Sequence, residues 1–125
     1  MIFRRQEGFR YSFNKPIDCN FKIIKIDDSE IDTEFGFGQI VDISPNGLKM
    51  ISSLNLSPTF KKIEIQVHFL IDEQAFITPG IIQWQKKEWS LNVYSYGIKL
   101  VSSEETAANI VAGLKKHAEK TMNKK

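Results

Sequence analysis

The chain has 125 residues, 42% of them hydrophobic and 26% charged, the make-up of one ordinary globular domain rather than a disordered or fibrous chain. No apolar run reaches the ~20 residues of a membrane helix, and the basic start, Met1 to Arg10, lacks the apolar stretch of a signal peptide. The single cysteine, Cys19, excludes an internal disulfide framework and fits a reducing cytoplasm. The formal charge of +2 conceals basic ends on an acidic body. Residues 1–15 carry +3 (Arg4, Arg5, Arg10 and Lys15 against Glu7), residues 115–125 carry +4 (five lysines against Glu119), and −5 remains between them. A general nucleic-acid binder gathers its cations into one broad stripe. Basic ends suit either an arm that grips a small anion or two solvated termini.

In chain order, most segments read as strands. Phe9-Arg10-Tyr11-Ser12-Phe13 alternates apolar and polar, and Pro16 is expected to end it. Phe21 to Ile26 forms a second strand, followed by the acidic stretch Asp27 to Glu34. A third runs from Gly36 to Ile43, and Ser44-Pro45-Asn46-Gly47 is a turn signal, with Asn and Gly able to take positive φ. Leu48 to Ile51 completes a hairpin, and Ser52 to Thr59 is a loop. Ile63 to Leu70 alternates over its whole length and Asp72-Glu73-Gln74 turns the chain. Ala75 to Gln85 follows, with a bulge or bend expected at Pro79-Gly80. Lys86-Lys87-Glu88 is expected to turn again before a last strand or pair over Leu91 to Val101.

The period then changes. Ala107, Ile110, Val111, Leu114 and Ala118 share one helix face, and Ser102 with Glu105 forms a capping-box pattern that starts the helix. An amphipathic helix over 103–122 must lay that face on the strands or on a partner. The whole is expected to be all-β, a six- or seven-stranded antiparallel barrel over 10–101 with a basic arm at 1–9 and a C-terminal helix, forming one domain.

Little here supports enzyme chemistry. His68 lies in an alternating strand and His117 at a basic helix end, neither with a neighbour at metal-ligand spacing. Cys19 reads as a buried or idle thiol. Gly36-Phe37-Gly38 sits in a strand, not before a helix, so it is no phosphate loop. Phe9, Tyr11 and Phe13 at spacing two could stack single-stranded bases, but core packing accounts for them better and the acidic middle opposes such a ligand.

Two segments remain. Arg4, Arg5 and Arg10 offer planar donor forks that pair bidentately with phosphate or a guanine edge and stack on bases, unless they are simply a solvated terminus. In Asp42-Ile43-Ser44-Pro45-Asn46-Gly47, Asp42 and Ser44 point to the same side of a strand end. Asp42 can accept from N–H donors, Ser44 can hold the turn or bond a ligand, and Gly47 permits close backbone approach. A self-capped hairpin turn explains the same residues without any ligand.

Together these segments resemble the PilZ domain family, bacterial receptors for the second messenger cyclic di-GMP (c-di-GMP). That family pairs an RxxxR motif before its first strand with a D/N-x-S-x-x-G turn, and Asp42 to Gly47 matches the latter throughout. Gly80-Ile81-Ile82-Gln83-Trp84 is similar to the family's G-x-V-x-W strand, and Tyr96-Gly97-Ile98-Lys99-Leu100 to its G-I-x-F strand before a helix. Arg10 fits the second arginine. Four positions earlier stands Gln6, and five earlier Arg5, so either Gly8 marks an insertion that lets Arg5 serve or Gln6 takes the place.

The resemblance implies a cytoplasmic c-di-GMP effector that is not an enzyme and needs no cofactor. Its site would comprise Arg4, Arg5, Arg10, Asp42, Ser44 and Gly47. Its output would be a protein partner in motility, adhesion or exopolysaccharide control, with no membrane insertion and no specific nucleic acid. A divergent interaction module that has lost the nucleotide is the alternative.

Overall fold

The structure, a computed structural model, describes residues 10–59 and 61–123. Seven strands precede one helix: β1 Tyr11–Ile26, β2 Ser29–Glu30, β3 Gly36–Ser44, β4 Gly47–Ser52, β5 Ile63–Ile71, β6 Gln74–Glu88, β7 Val93–Leu100 and α1 Glu104–Asn123. Every pairing is antiparallel, in the order β2-β1-β3-β4-β7-β6-β5. β1 also pairs with β5 from Cys19↔Phe69 to Ile26↔Ile63, so six strands close into a barrel and β2 remains outside it. Closure removes the open edges that an exposed sheet would present.

The alternation of β5 shows how the barrel fills. Ile63, Ile65, Val67, Phe69 and Ile71 all point inward and are buried, and they meet Phe21, Ile40, Met50, Ile82 and Ile98 from the other strands. Each such side chain contributes roughly 1.5–3 kcal/mol. The fully buried Tyr96 finds partners for its hydroxyl, which donates to Leu54 O at 2.5 Å and accepts from Leu56 N and Gln85 Nε2, both at 2.9 Å. It thereby fixes the loop between β4 and β5, and burial raises its pKa.

Several boundaries differ from the sequence expectation. Pro16 does not end β1. The strand runs on to Ile26, and its register against β3 breaks between Ser12 and Ile17, so the proline sits in an excursion where no ladder bond is required of it. Pro79-Gly80 is no bulge either: Gln66↔Pro79 and Ile65↔Gly80 are in regular register, and Pro79 O accepts from Val101 N. The side of Pro79 that lacks an N–H thus faces the chain just past β7, where β7 asks nothing of it. The irregularity in β6 lies instead between Ile82 and Trp84. Lys86-Lys87-Glu88 is strand, not turn. The chain reverses over 89–92, where Asn92 takes φ 57° and Leu91 N and Asn92 N both donate to Glu88 O.

The helix begins one residue later than the capping pattern suggested. Ser103 Oγ accepts from Thr106 N at 3.1 Å, whereas the hydroxyl of Ser102 pairs with that of Thr78. Ile110 and Leu114 join the barrel core, and Gly113 lies beside Ile71 and Phe76, where β5 turns into β6. Val111, Ala107 and Ala118 flank that contact, half-buried. Leu114→Ala is therefore expected to destabilise the protein by roughly 2–5 kcal/mol in thermal or denaturant unfolding; an unchanged midpoint would mean the helix face is not packed.

The far end of the helix is held by a polar contact. His117 Nδ1 meets Asp72 Oδ1 at 2.9 Å, and the imidazole packs edge-on against Tyr11 and Phe13, with centroids 5.6 and 5.7 Å away. Asp72 lies in the β5–β6 turn at φ 58°. The hydrogen bond from His117, more than its charge and those of Lys120 and Lys116, lowers the Asp72 pKa. A depressed carboxylate contributes stability above its unfolded pKa and loses it as pH falls through its folded value. Asp72→Asn, which tolerates the same backbone, should lower the melting temperature at neutral pH. The difference from wild type should close in acid, which a pH series of melts would show.

Candidate functional site

Two strand irregularities build the site. In β3 the register against β4 shifts between Ile40 and Asp42, leaving Val41 as the extra residue. Ile40 and Ile43 are both fully buried, so Asp42, which strict alternation would put on the side of Ile40, instead faces outward. In β6 the extra residue is Gln83, between Ile82 and Trp84. Ile82 points into the core, while Gln83 and Trp84 are both exposed, Trp84 at 47%. A bulge in each of two strands thus turns a side chain from the core direction to the surface, and both serve the same cleft.

That cleft, of about 210 Å³, is lined by Arg10, Asp42, Gly47, Leu48, Lys49, Gln83, Trp84, Gly97, Ile98 and Lys99. Arg10, at the mouth of β1, pairs its guanidinium with the Asp42 carboxylate across the Ser12↔Asp42 register. Asp42 is mostly shielded, while half of the arginine side chain stays in solvent, so most of its donors remain open. Lys49 arrives because Asp42↔Lys49 is a register pair, and Lys99 because it sits opposite Gly47. The cleft therefore gathers three cations around one carboxylate.

The turn beside it is held from within. Ser44 is buried, and its hydroxyl accepts from Gly47 N and donates to Gly47 O, both at 3.2 Å. Of the two roles open to it, Ser44 holds the turn. Neither Asn46 nor Gly47 adopts positive φ, contrary to the expectation for this turn. Gly47 is required for another reason: a Cβ there would stand 2.9 Å from Ile98 O, and Asn46 O accepts from Leu100 N at 2.9 Å. The turn lies flat on β7. Gly97 does the same for Trp84, whose indole covers the glycine so closely that any Cβ would overlap its Nε1 and Cε2 atoms.

Of the residues expected from sequence, Arg10, Asp42 and Gly47 thus line one cleft, and Ser44 braces it from behind. Arg4 and Arg5, like Gln6 and Phe9, lie outside the described residues. Sequence reasoning did not assign Lys49, Gln83, Trp84, Gly97 or Lys99 to the site. The strands that carry all five were noticed, but which way Trp84 points depends on a bulge that alternation does not reveal.

The remaining reactive groups lie elsewhere. Cys19 is buried, and its thiol pKa is pushed up to about 12, by burial first and the Asp18 charge second, against a backbone hydrogen bond from Gly38. It is the inert thiol that the sequence implied. His68 Nε2 meets Gln66 Oε1 at 2.7 Å beside the Phe35 ring, as a packed strand residue does. Phe13 is buried and Tyr11 packs against the core, so neither forms a base-stacking platform. No His, Cys, Asp and Glu cluster among the described residues could hold a metal. No helix among them is long and apolar enough to cross a membrane.

A six-stranded antiparallel barrel with a C-terminal helix, carrying this cleft across β3, β4, β7 and β6, is a defined class of small all-β domain. No family model matches the chain, and no curated protein matches it in sequence. Among solved structures it is similar to the PilZ domain of CeSA from a cellulose-synthesizing bacterium: 18% identity, 86% of this chain and 99% of that one, TM-score 0.58. It is similar also to the PilZ domain of YcgR from Escherichia coli with c-di-GMP, at 14% identity, 94% and 96% coverage and TM-score 0.60. The PlzA protein of Borreliella burgdorferi in complex with c-di-GMP matches 98% of this chain over 56% of its own length, at 15% identity and TM-score 0.54. The chain has the PilZ fold.

Gly97→Ala should displace the Trp84 indole without a backbone clash, because all three nearest atoms belong to that side chain. The expected result is a folded protein with altered tryptophan emission and a distorted cleft. An unchanged emission spectrum would show that the indole does not lie on Gly97.

Proposed function

We propose that the protein is a c-di-GMP receptor that binds the nucleotide in the Arg10–Asp42–Trp84 cleft and passes the signal to a protein partner. One observation carries the reading: the cleft brings the arginine and the Asp42–Gly47 turn of the two sequence signatures together with Lys49, Lys99 and an exposed indole. Three cations against one carboxylate suit a ligand with two phosphodiester charges. The Trp84 face suits a purine, which stacks for roughly 1–3 kcal/mol per base. Two of the structural neighbours, YcgR and PlzA, hold c-di-GMP.

In this reading each residue has a separate task. Asp42 pre-orients the Arg10 guanidinium, which reduces the rotamer entropy lost on binding. The open donors of Arg10 then meet a phosphate or the guanine O6 and N7 edge. Lys49 and Lys99 supply point charges to the second phosphate. Gly47, without a Cβ, leaves the turn low enough for the ligand to approach its backbone. Arg4 and Arg5 add charge and stacking to the part of the ligand beyond the cleft, and the bound nucleotide changes the surface offered to the partner.

Calorimetric titration with c-di-GMP, with GTP and cyclic GMP as controls, tests the reading. Arg10→Ala removes a charge-assisted contact worth roughly 1.5–3 kcal/mol, or about 10- to 150-fold in affinity. Comparing Arg5→Ala with Gln6→Arg separates the two readings of the arm. If Arg5 serves, its loss weakens binding; if Gln6 holds the place, the new arginine tightens it. No heat with c-di-GMP in the wild type would overturn the receptor and leave an interaction module, the outcome that Gln6 in the motif favours.

A further inference from the structure

The β6–β7 hairpin carries a second surface at the end remote from the helix. β5 accompanies β6 only as far as Ile81 and β4 accompanies β7 only as far as Tyr94, yet β6 and β7 stay paired to Glu88↔Val93. The hairpin therefore projects beyond its neighbours. Its tip, residues 89–92, is exposed throughout, with Trp89 at 83% and Leu91 at 68%. The reversal needs only Asn92 at φ 57°; nothing in the fold asks for tryptophan and leucine beside it.

Part of the polar character of the tip is met internally. Leu91 N and Asn92 N donate to Glu88 O, and the Glu88 carboxylate accepts from Ser95 Oγ at 2.7 Å. Lys87 Nζ donates to Asn92 Oδ1 at 3.0 Å and lies 5.4 Å from the Trp89 ring and 4.4 Å from the Tyr94 ring. Lys86, next to it, is exposed.

We infer that this tip is a peripheral membrane contact, seating Trp89 and Leu91 in the headgroup region of an anionic bilayer with Lys86 and Lys87 at the lipid phosphates. Tryptophan favours that interface, because its ring is apolar with one polar edge, and leucine adds depth below it. Basic residues beside an apolar knob are attracted to anionic headgroups. A protein partner fits less well: two such side chains offer roughly 300 Å², whereas a stable protein interface uses ~800 Å² from each side. The acidic stretch Asp27 to Glu34 follows β1 at this same end of the barrel, but β1 stands three strands from β7 in the closed order, the greatest separation that six strands allow, so the lysines of the tip are separated from it around the wall. The protein would lie on the membrane, not span it, and the nucleotide cleft would stay open. The inference does not depend on which ligand that cleft binds.

The test is co-sedimentation of the full chain with vesicles of phosphatidylcholine and phosphatidylglycerol, compared with phosphatidylcholine alone. Wild type should partition onto the anionic vesicles, less so at high salt, and Trp89→Ser with Leu91→Ser should weaken partitioning by about tenfold. Lys86→Glu, a change at an exposed side chain, should weaken it independently. In a Trp84→Phe background, which leaves Trp89 as the sole tryptophan, emission should shift to the blue on adding anionic vesicles. Wild type remaining in the supernatant, or a double variant that partitions like wild type, would overturn the inference. So would a mass by light scattering that rises with concentration in wild type and not in the double variant, since the tip would then join two copies of the chain.

Discussion

Everything in this molecule depends on β1 pairing on both its edges. Sixteen residues long, it joins β3 along one side and β5 along the other, and that double ladder turns a seven-stranded sheet into a closed barrel. Closing so few strands demands strong curvature, which regular pleated strands do not supply. The register breaks supply it: between Ser12 and Ile17 and between Ile23 and Lys25 in β1, at Val41 in β3 and at Gln83 in β6. The bulges at Val41 and Gln83 also create the candidate site, because each reverses the direction of the next side chain. The curvature that closes the core and the outward turn of Asp42 and Trp84 are one structural event.

The cleft built this way combines rigid and adjustable parts. Asp42, Gly47, Gly97 and Trp84 stand on paired strands, and two of those positions are fixed by contacts that leave no room for a Cβ. Arg10 stands at the point where β1 begins, held by Asp42 but half in solvent. Arg10 leads directly into Tyr11 and Phe13, whose rings pack on each other and on the imidazole of His117 in α1. The helix, the β5–β6 turn at Asp72 and the start of β1 therefore form one contiguous contact behind the cleft. The opposite end of the barrel shares none of these contacts and carries the projecting hairpin tip.

Much of this was legible in the amino-acid sequence, and for clear reasons. Period-two alternation in Ile63 to Leu70 and period 3.6 in Ile110 and Leu114 follow from burial on one face, which local geometry dictates. The turn at Ser44 to Gly47 carries its own chemistry, and the placement of Arg10 and Asp42 followed from two motifs read together. A proline or a run of charges proved a poor guide to strand ends. Pro16 falls in a bulge and Pro79 faces the chain past β7, and Lys86 to Glu88 continue a strand whose alternate side chains are free to be polar.

By itself, then, the sequence determined an all-β barrel with a C-terminal helix, the inert environment of Cys19, and the arginine and Asp42–Gly47 segments on which the proposed function rests. Those properties reside in local spacing and side-chain type. Only the tertiary structure decided that Lys49, Lys99, Gln83 and Trp84 join Arg10 and Asp42, because strand register places them there and the residues are scattered over some ninety positions of the chain. It alone decided that Trp84 faces solvent while Tyr96 is buried, since a single extra residue at Gln83 inverts the pattern that alternation predicts. A bulge is defined by the pairing of one strand against another, so it belongs to the register of the folded barrel and not to the spacing of residues along either strand.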